Sequence, residues 1–491
     1  MTNQSLARFL ALSLGLSLTT ALPSQAATYS WDASLTPATA SGGTGTWDLS
    51  TANWSNGTTD QAWTDTTGSS DIASLGGTAG TVTLGTSLGA NGLVFTTTGY
   101  TIATGANTLT LGSSGIDASA LSSGTTTLTG LIALAASQSW NVGSGAVLTS
   151  SAVISGTGYS ITKTGSGTLT LSGADTFTGG VNLNAGTLLL GNAAGAGTGT
   201  LTLNGGTLGA TGALSIANAV VAATGTTTNI AGSSSAATLT VTGTLSGSGT
   251  IVVGNGSGGL QLQTTAFPSS GFTGTIQVAE GSTTTTGLLF GPATSGNNNS
   301  GTYNMSQGTL TFSGTGTAAT VGWNASGGGG TNSNGTIMLG ALSSASGVGQ
   351  LNNGFGGNNK RGSYIIGYLN TSTTYGGILV QNAYGSSAGT NGTTNLSKVG
   401  SGTLTLSGAA ASNTMTGGIT VREGTLQIGD GSTTAGGFST ASNALTFVGA
   451  GGTFNYVKLS RRAAARAWRR SPPARVQIRC SPPITGRAAR A

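Results

Sequence analysis

KTGSGTLTLSGADTFTGGVNLNAGTLLLG, residues 163–191, is matched by KVGSGTLTLSGAAASNTMTGGITVREGTLQIG at residues 398–429. Both run Gly-Ser-Gly-Thr-Leu-Thr-Leu-Ser-Gly, then Thr-Gly-Gly, a short alternating stretch and Gly-Thr-Leu. The extra residues of the second copy fall between Gly408 and Met415, where a loop is expected. In TLTL, Leu169 and Leu171 point to one face and Thr168 and Thr170 to the other, the period of a half-buried strand. So short a strand cannot bury its apolar face alone. Stacking one coil on the next buries it against the equivalent strands above and below. The pairs Gly179-Gly180 and Gly417-Gly418 are expected to supply positive-φ corners between strands.

Working outward, GFTGTIQVAEG at 271–281 is a partial third copy, and Gly206-Thr207-Leu208 and Gly308-Thr309-Leu310 are weaker echoes. Gly accounts for 88 of 491 residues and only 5% are charged. Ordinary globular chains carry about 7% Gly and about 25% charged residues. No Gly-X-Y period appears, so collagen is excluded. The expected fold is all-β: a right-handed parallel β-helix, or solenoid, of short Gly/Thr-rich strands, with a disordered C-terminal tail. A coil length of roughly 20–25 residues follows from typical repeats.

Residues 1–26 carry the pattern of a secretory signal peptide. Arg8 precedes the apolar run Phe9–Leu22, and Ser24-Gln25-Ala26 is a small-x-small cleavage site. The run is too short to span a bilayer comfortably. The expected divisions are 27–135, an N-terminal cap and first coils; 136–280, solenoid with the first copy (163–191); 281–397, a loop-rich irregular solenoid; 398–456, solenoid with the second copy (398–429); and 457–491, a basic low-complexity tail.

The formal net charge of +6 is a property of that tail. Ten of the 16 basic residues lie between Lys458 and Arg490, while residues 27–457 hold five basic and all ten acidic residues, a balance of −5. A nucleic-acid partner is therefore not expected of the body. GGC codons read out of frame give Ala (GCG) or Arg (CGG), so the Ala/Arg/Pro-rich tail is expected to be a frame-shifted or truncated end.

The residue inventory argues against chemistry. There is no His, and the single Cys480 lies in the tail, so His-based triads, His- or Cys-ligated metals and an internal disulfide are excluded. Asp60, Asp65 and Asp71 form the one local acidic group, without calcium-loop spacing. Asp175 and Glu423, the latter beside Arg422, are the acids of the repeats. We expect no catalytic residue, no cofactor and no bound metal. Trp31, Trp47, Trp54 and Trp63 crowd the N-terminal region. Exposed, these rings would stack on glycan faces; buried, they would cap the open end of the solenoid. We favour the cap.

The two copies resemble the autotransporter-associated β-strand repeat, also called the passenger-associated transport repeat. The run-in ASQSWNVGSGAVL (136–148) and the Trp31-Asp32 and GTWD (45–48) elements are similar to proteins that carry it. The resemblance implies an exported, adhesin-like β-helix at the cell surface or outer membrane, or secreted. The Sec machinery would export it, and extracellular polysaccharide or other cell-surface components would be its partners. It also implies a membrane translocator or anchor, which is not found in this sequence. Alternative functions are a carbohydrate-binding β-helix and a polysaccharide-degrading one.

Overall fold

A computed structural model describes residues 26–34, 40–68, 70–231, 237–254, 259–262, 271–279, 288–290, 301–314, 320–323, 333–352, 360–380, 393–408, 415, 417–430, 445–456 and 476–479. Residues 1–25 of the expected signal peptide (1–26) lie outside them, as does most of the tail. The four tail residues described, Val476–Arg479, pair antiparallel with Thr453–Tyr456.

The described residues form an all-β parallel solenoid. One column of parallel strands starts at Gly45–Trp47 and continues through Thr81–Leu84 and Thr101–Ala103 to the strand containing Thr125–Leu128. It then climbs through Val147–Ser150, Thr168–Leu171, Thr187–Leu190 and Thr207–Ala210. The TLTL strands of the sequence are its rungs. Leu148, Leu169, Leu188 and Leu208 stack in register, one on each successive coil. All four are buried. Burying each side chain is worth about 1.5–3 kcal/mol, so the core is one continuous ladder of aliphatic side chains rather than a globule.

The threonines expected outside line up as well. Thr149 pairs with Thr170, and Thr168 with Thr187 and then Thr207. Each is half-exposed, and β-branched side chains in such rows favour the extended backbone.

A second column runs beside the first, from Thr28–Trp31 through Ile72–Leu75 and Gly92–Phe95 to Ile161–Thr164, Val181–Leu183 and Leu201–Leu203. In the first coils a third column stacks Leu88–Ala90, Thr108–Leu111, Leu131–Leu134 and Val153–Ser155, and a separate seven-stranded column runs from Leu214–Ile216 to Ile378–Val380. Coils lengthen with it. Val253 pairs with Val278, and Val278 in turn with Phe312, a distinctly longer step along the chain. The step shortens again between the partners Leu406 and Ile428. The extra chain in the long coils includes the Gly/Asn/Ser stretches of the sequence, such as 296–301 and 326–335.

Each repeat copy covers two coils. Ile161–Thr164 and Thr168–Leu171 make one coil's strands, and Val181–Leu183 and Thr187–Leu190 stack on them. In the second copy Leu396–Lys398 pairs with Ile419–Val421, and Thr403–Leu406 with Thr425–Ile428. The Thr-Gly-Gly segment is the corner between coils. Gly180 there has φ +78°, as expected of a corner. At Gly417 the requirement is space: an added Cβ would strike the Thr394 carbonyl.

Candidate functional site

The repeat signature begins with a lysine placed where an aliphatic residue is due. Lys163 points inward, stacked between Trp140 below and Leu183 above, and Lys398 between Ile366 and Val421. Both are buried, at 0% and 1% exposure. A buried ammonium needs acceptors for its three donors, and the glycine turns supply them. Lys163 Nζ donates to the carbonyls of Thr164 (2.6 Å), Gly165 (2.8 Å) and Ala185 (3.2 Å). Lys398 Nζ donates to Val399 (2.5 Å), Gly400 (2.6 Å) and Glu423 (3.3 Å). Two acceptors belong to the turn of the same coil and the third to the turn of the next. The lysine therefore ties consecutive coils together.

These turns need glycine. Gly165 and Gly186 have φ +72° and +68°, Gly400 and Gly424 +69° and +67°. A Cβ on Gly186 would meet the carbonyls of Gly165 and Gly167 and the Lys163 ammonium. Burial lowers the Lys163 pKa to about 8. Burial also lowers that of Lys398 to about 8, with Glu423 pulling the other way.

The four tryptophans come together at the first coils. Trp31 and Trp54 face each other across an antiparallel pairing, which Trp54–Ser55 extends to Asp60–Gln61. Trp47 and Trp54 ring centroids are 4.7 Å apart, Trp54 and Trp63 4.7 Å, Trp47 and Trp63 5.0 Å, and Trp31 and Trp54 5.1 Å. Trp63 Nε1 donates to the carbonyls of Gly89 (2.7 Å) and Asp65 (3.0 Å). Trp31 Nε1 donates to Gly43 (2.9 Å). None of the four is more than 1% exposed. The glycan-stacking role considered for Trp31, Trp47, Trp54 and Trp63 is thereby corrected, because no ring face is open to a sugar. They are the packed centre of an antiparallel cap on the parallel stack.

The acids of the repeats do not converge, and of the local acidic group only Asp65 and Asp71 come together, burial and then the Asp65 charge raising the Asp71 pKa. Asp65 Oδ1 accepts from the backbone N–H of Thr67 and Gly68 (both 2.8 Å), and Oδ2 from Ser70 (3.1 Å) and Asp71 (3.2 Å). Burial opposes its ionisation, but these bonds outweigh burial and bring its pKa down to about 2. Asp65 organises a loop. Asp175 is buried, whereas Glu423 is exposed on a strand ten rungs further up the column. At about 4.8 Å per rung that is roughly 48 Å, too far for two carboxylates to act on one bond. Among the described residues no group of three or more His, Cys, Asp or Glu side chains is arranged to hold a metal, and no helix is long and apolar enough to cross a membrane.

A recess of about 400 Å³ lies where the seven-stranded column begins, lined by Ala193, Ala194, Gly197, Thr198, Ser215 and Asn218 among others. Asn218 is committed there to structure, donating to the carbonyls of Gly197 (3.0 Å) and Gly199 (2.7 Å).

A stack of parallel coils with a tryptophan cap and lysine-tied turns defines a structural repeat solenoid. The chain carries two passenger-associated transport repeats, that family matching residues 161–190 and 396–428. Both Lys163 and Lys398 fall inside the matched segments. The chain is also 37% identical over 195 residues to the adhesin BmaC autotransporter of Brucella suis biovar 1 (strain 1330). That match covers 39% of this chain but 5% of the relative, so the chain spans a small fraction of the relative's length. No solved structure matches the chain.

Proposed function

We propose that this chain is an exported, non-catalytic passenger segment of the autotransporter type, which presents a long β-solenoid at the cell surface for adhesive contact. The observation that carries the proposal is the coincidence of the two passenger repeats with successive coils of one uninterrupted stack. Such a stack works as a spacer and contact surface. The outer row through Thr168, Thr187, Thr207, Asn229, Val252, Gln277 and Thr311 holds no charged group, so contact rests on hydrogen bonding and shape over many rungs. The adhesin relative supports the reading, as does the dispersal of the repeats' acids. Extracellular polysaccharide and cell-surface components are the proposed partners, together with a membrane translocator or anchor of the autotransporter type.

Protease treatment of intact cells expressing the full chain with a translocator tests the surface role, together with retention of beads coated with the purified chain on cell and polysaccharide surfaces. Surface cleavage and bead retention are expected. Protection from protease, or no retention on any surface, would contradict it. Release of new reducing ends from acidic polysaccharides would overturn the non-catalytic part.

A further inference from the structure

We propose that Asp175 is a proton-operated latch in the first repeat: its neutral carboxyl seats the corner Gly173–Gly180 on the coil below, and its ionisation loosens that corner.

From Ala118 to Ala279 the only charged residues are Lys163 and Asp175, and both are buried. Lys163 has its own carbonyl cage, so the two do not form a pair. Asp175 Oδ1 accepts the N–H of Ile154 on the preceding coil at 2.8 Å. Oδ2 is buried without a partner. The corner around it is seated by backbone bonds to the same coil: Thr176 to Ile154 (2.8 Å), Thr178 to Gly156 (3.0 Å) and Gly179 to Tyr159 (2.9 Å). Space is short as well, since a Cβ on Gly173 would strike the Ala152 carbonyl.

One accepted hydrogen bond serves the carbonyl oxygen of a neutral carboxyl and leaves its O–H without an acceptor, a smaller cost than a buried carboxylate that receives only one donor. Burial raises the Asp175 pKa to about 7, with the Ile154 N–H opposing it; neither influence is a charged side chain. The strand below (Val153–Ser155), the corner itself and the segment stacked above it (192–200), where the Thr198 N–H donates to the Phe177 carbonyl, carry no ionisable side chain. Tyr159 is the one titratable group on the adjoining turn, and it is exposed.

The copies sharpen the point. Aligned on Thr-Phe-Thr-Gly and Thr-Met-Thr-Gly, Asp175 corresponds to Asn413; aligned on Phe-Thr-Gly, it corresponds to Ser270. Both positions lie outside the described residues, but both residue types are acceptors that do not ionise in this range. The first repeat alone has the acceptor that titrates. Since the native pKa lies above the unfolded value of 3.8, the native corner holds the extra proton. The stability it confers is complete below about 3.8 and is lost as pH rises through about 7.

Hydrogen exchange of the full chain, read on peptides spanning 150–160 and 172–181 and corrected for intrinsic rate, tests this between pH 5 and 7, below the titration of Lys398 in the control peptides. Protection in the wild-type chain is expected to fall at least tenfold across that range, while D175N stays flat and peptides from 396–408 and 417–428 stay flat in both proteins. A flat wild-type profile, or the same slope in D175N, would overturn the latch. If D175N fails to fold, a carboxyl-carbon NMR titration of the wild-type chain decides: a midpoint near 7 is expected, and one near 4 would overturn the proposal.

Discussion

Lys163 and Ala185 lie on successive coils, and the ammonium of the first reaches the carbonyl of the second at 3.2 Å. Lys398 reaches Glu423 at 3.3 Å in the same way. The same staple thus occurs twice in the chain, with a glycine of positive φ following each acceptor, Gly186 and Gly424.

Removing the staple should loosen two coils at once. K163M keeps the stem but leaves the carbonyls of Thr164, Gly165 and Ala185 without their donor; unsatisfied buried groups cost about 1–3 kcal/mol, partly offset by no longer burying a charge. We expect K163M to lower the urea midpoint, and K398M to do the same. G186A should be at least as harmful as K163M, because its methyl enters the cage and its φ is unfavourable.

The aliphatic ladder predicts a contrast within one strand. L169A removes a side chain stacked between Leu148 and Leu188 and should cost about 2–5 kcal/mol. T170A, one residue on and facing outward, should stay within about 0.5 kcal/mol of wild type. Equilibrium unfolding of the two variants side by side checks this.

The cap should fail locally. W54A leaves a cavity among Trp31, Trp47 and Trp63 and should cost about 3–5 kcal/mol. Limited proteolysis is expected to cut the region 27–100 while coils from 147 onward resist. Adding soluble glycans should leave wild-type tryptophan fluorescence unchanged, since the rings are enclosed.

Acid should act through Asp65. Its folded pKa, about 2, is below the unfolded 3.8. Its contribution is present above 3.8 and is lost as pH falls toward 2. Thermal melts between pH 5 and 2 should show a steeper loss in wild type than in D65N, which lacks the titrating group.

The stacked-strand architecture was legible because TLTL states a period of two and the two copies state a repeat. The inward leucines and outward threonines need no further information. The role of Lys163 was hidden: its acceptors are backbone carbonyls, which every residue has, and only the folded turns aim three of them at one point. The tryptophans were ambiguous because aromatic rings serve as core or contact surface, and burial depends on the antiparallel Trp31–Trp54 pairing of separate segments. The separate seven-stranded column was not anticipated, since strands such as Leu214–Ile216 and Leu288–Phe290 are too short to show a period. Asp65 was visible as part of an acidic group, but its four N–H donors depend on loop geometry that no spacing rule gives.

The most direct measurement is the distance between spin labels on T168C and T311C, with Cys480 replaced by serine. These outward positions are far apart in sequence yet share one row of the column, through Thr187, Thr207, Asn229, Val252 and Gln277. Six rungs at about 4.8 Å predict roughly 29 Å, within the few ångströms of label reach. A single narrow distribution there is expected; a broad one, or a mean beyond about 45 Å, would contradict the solenoid on which the proposed surface role depends.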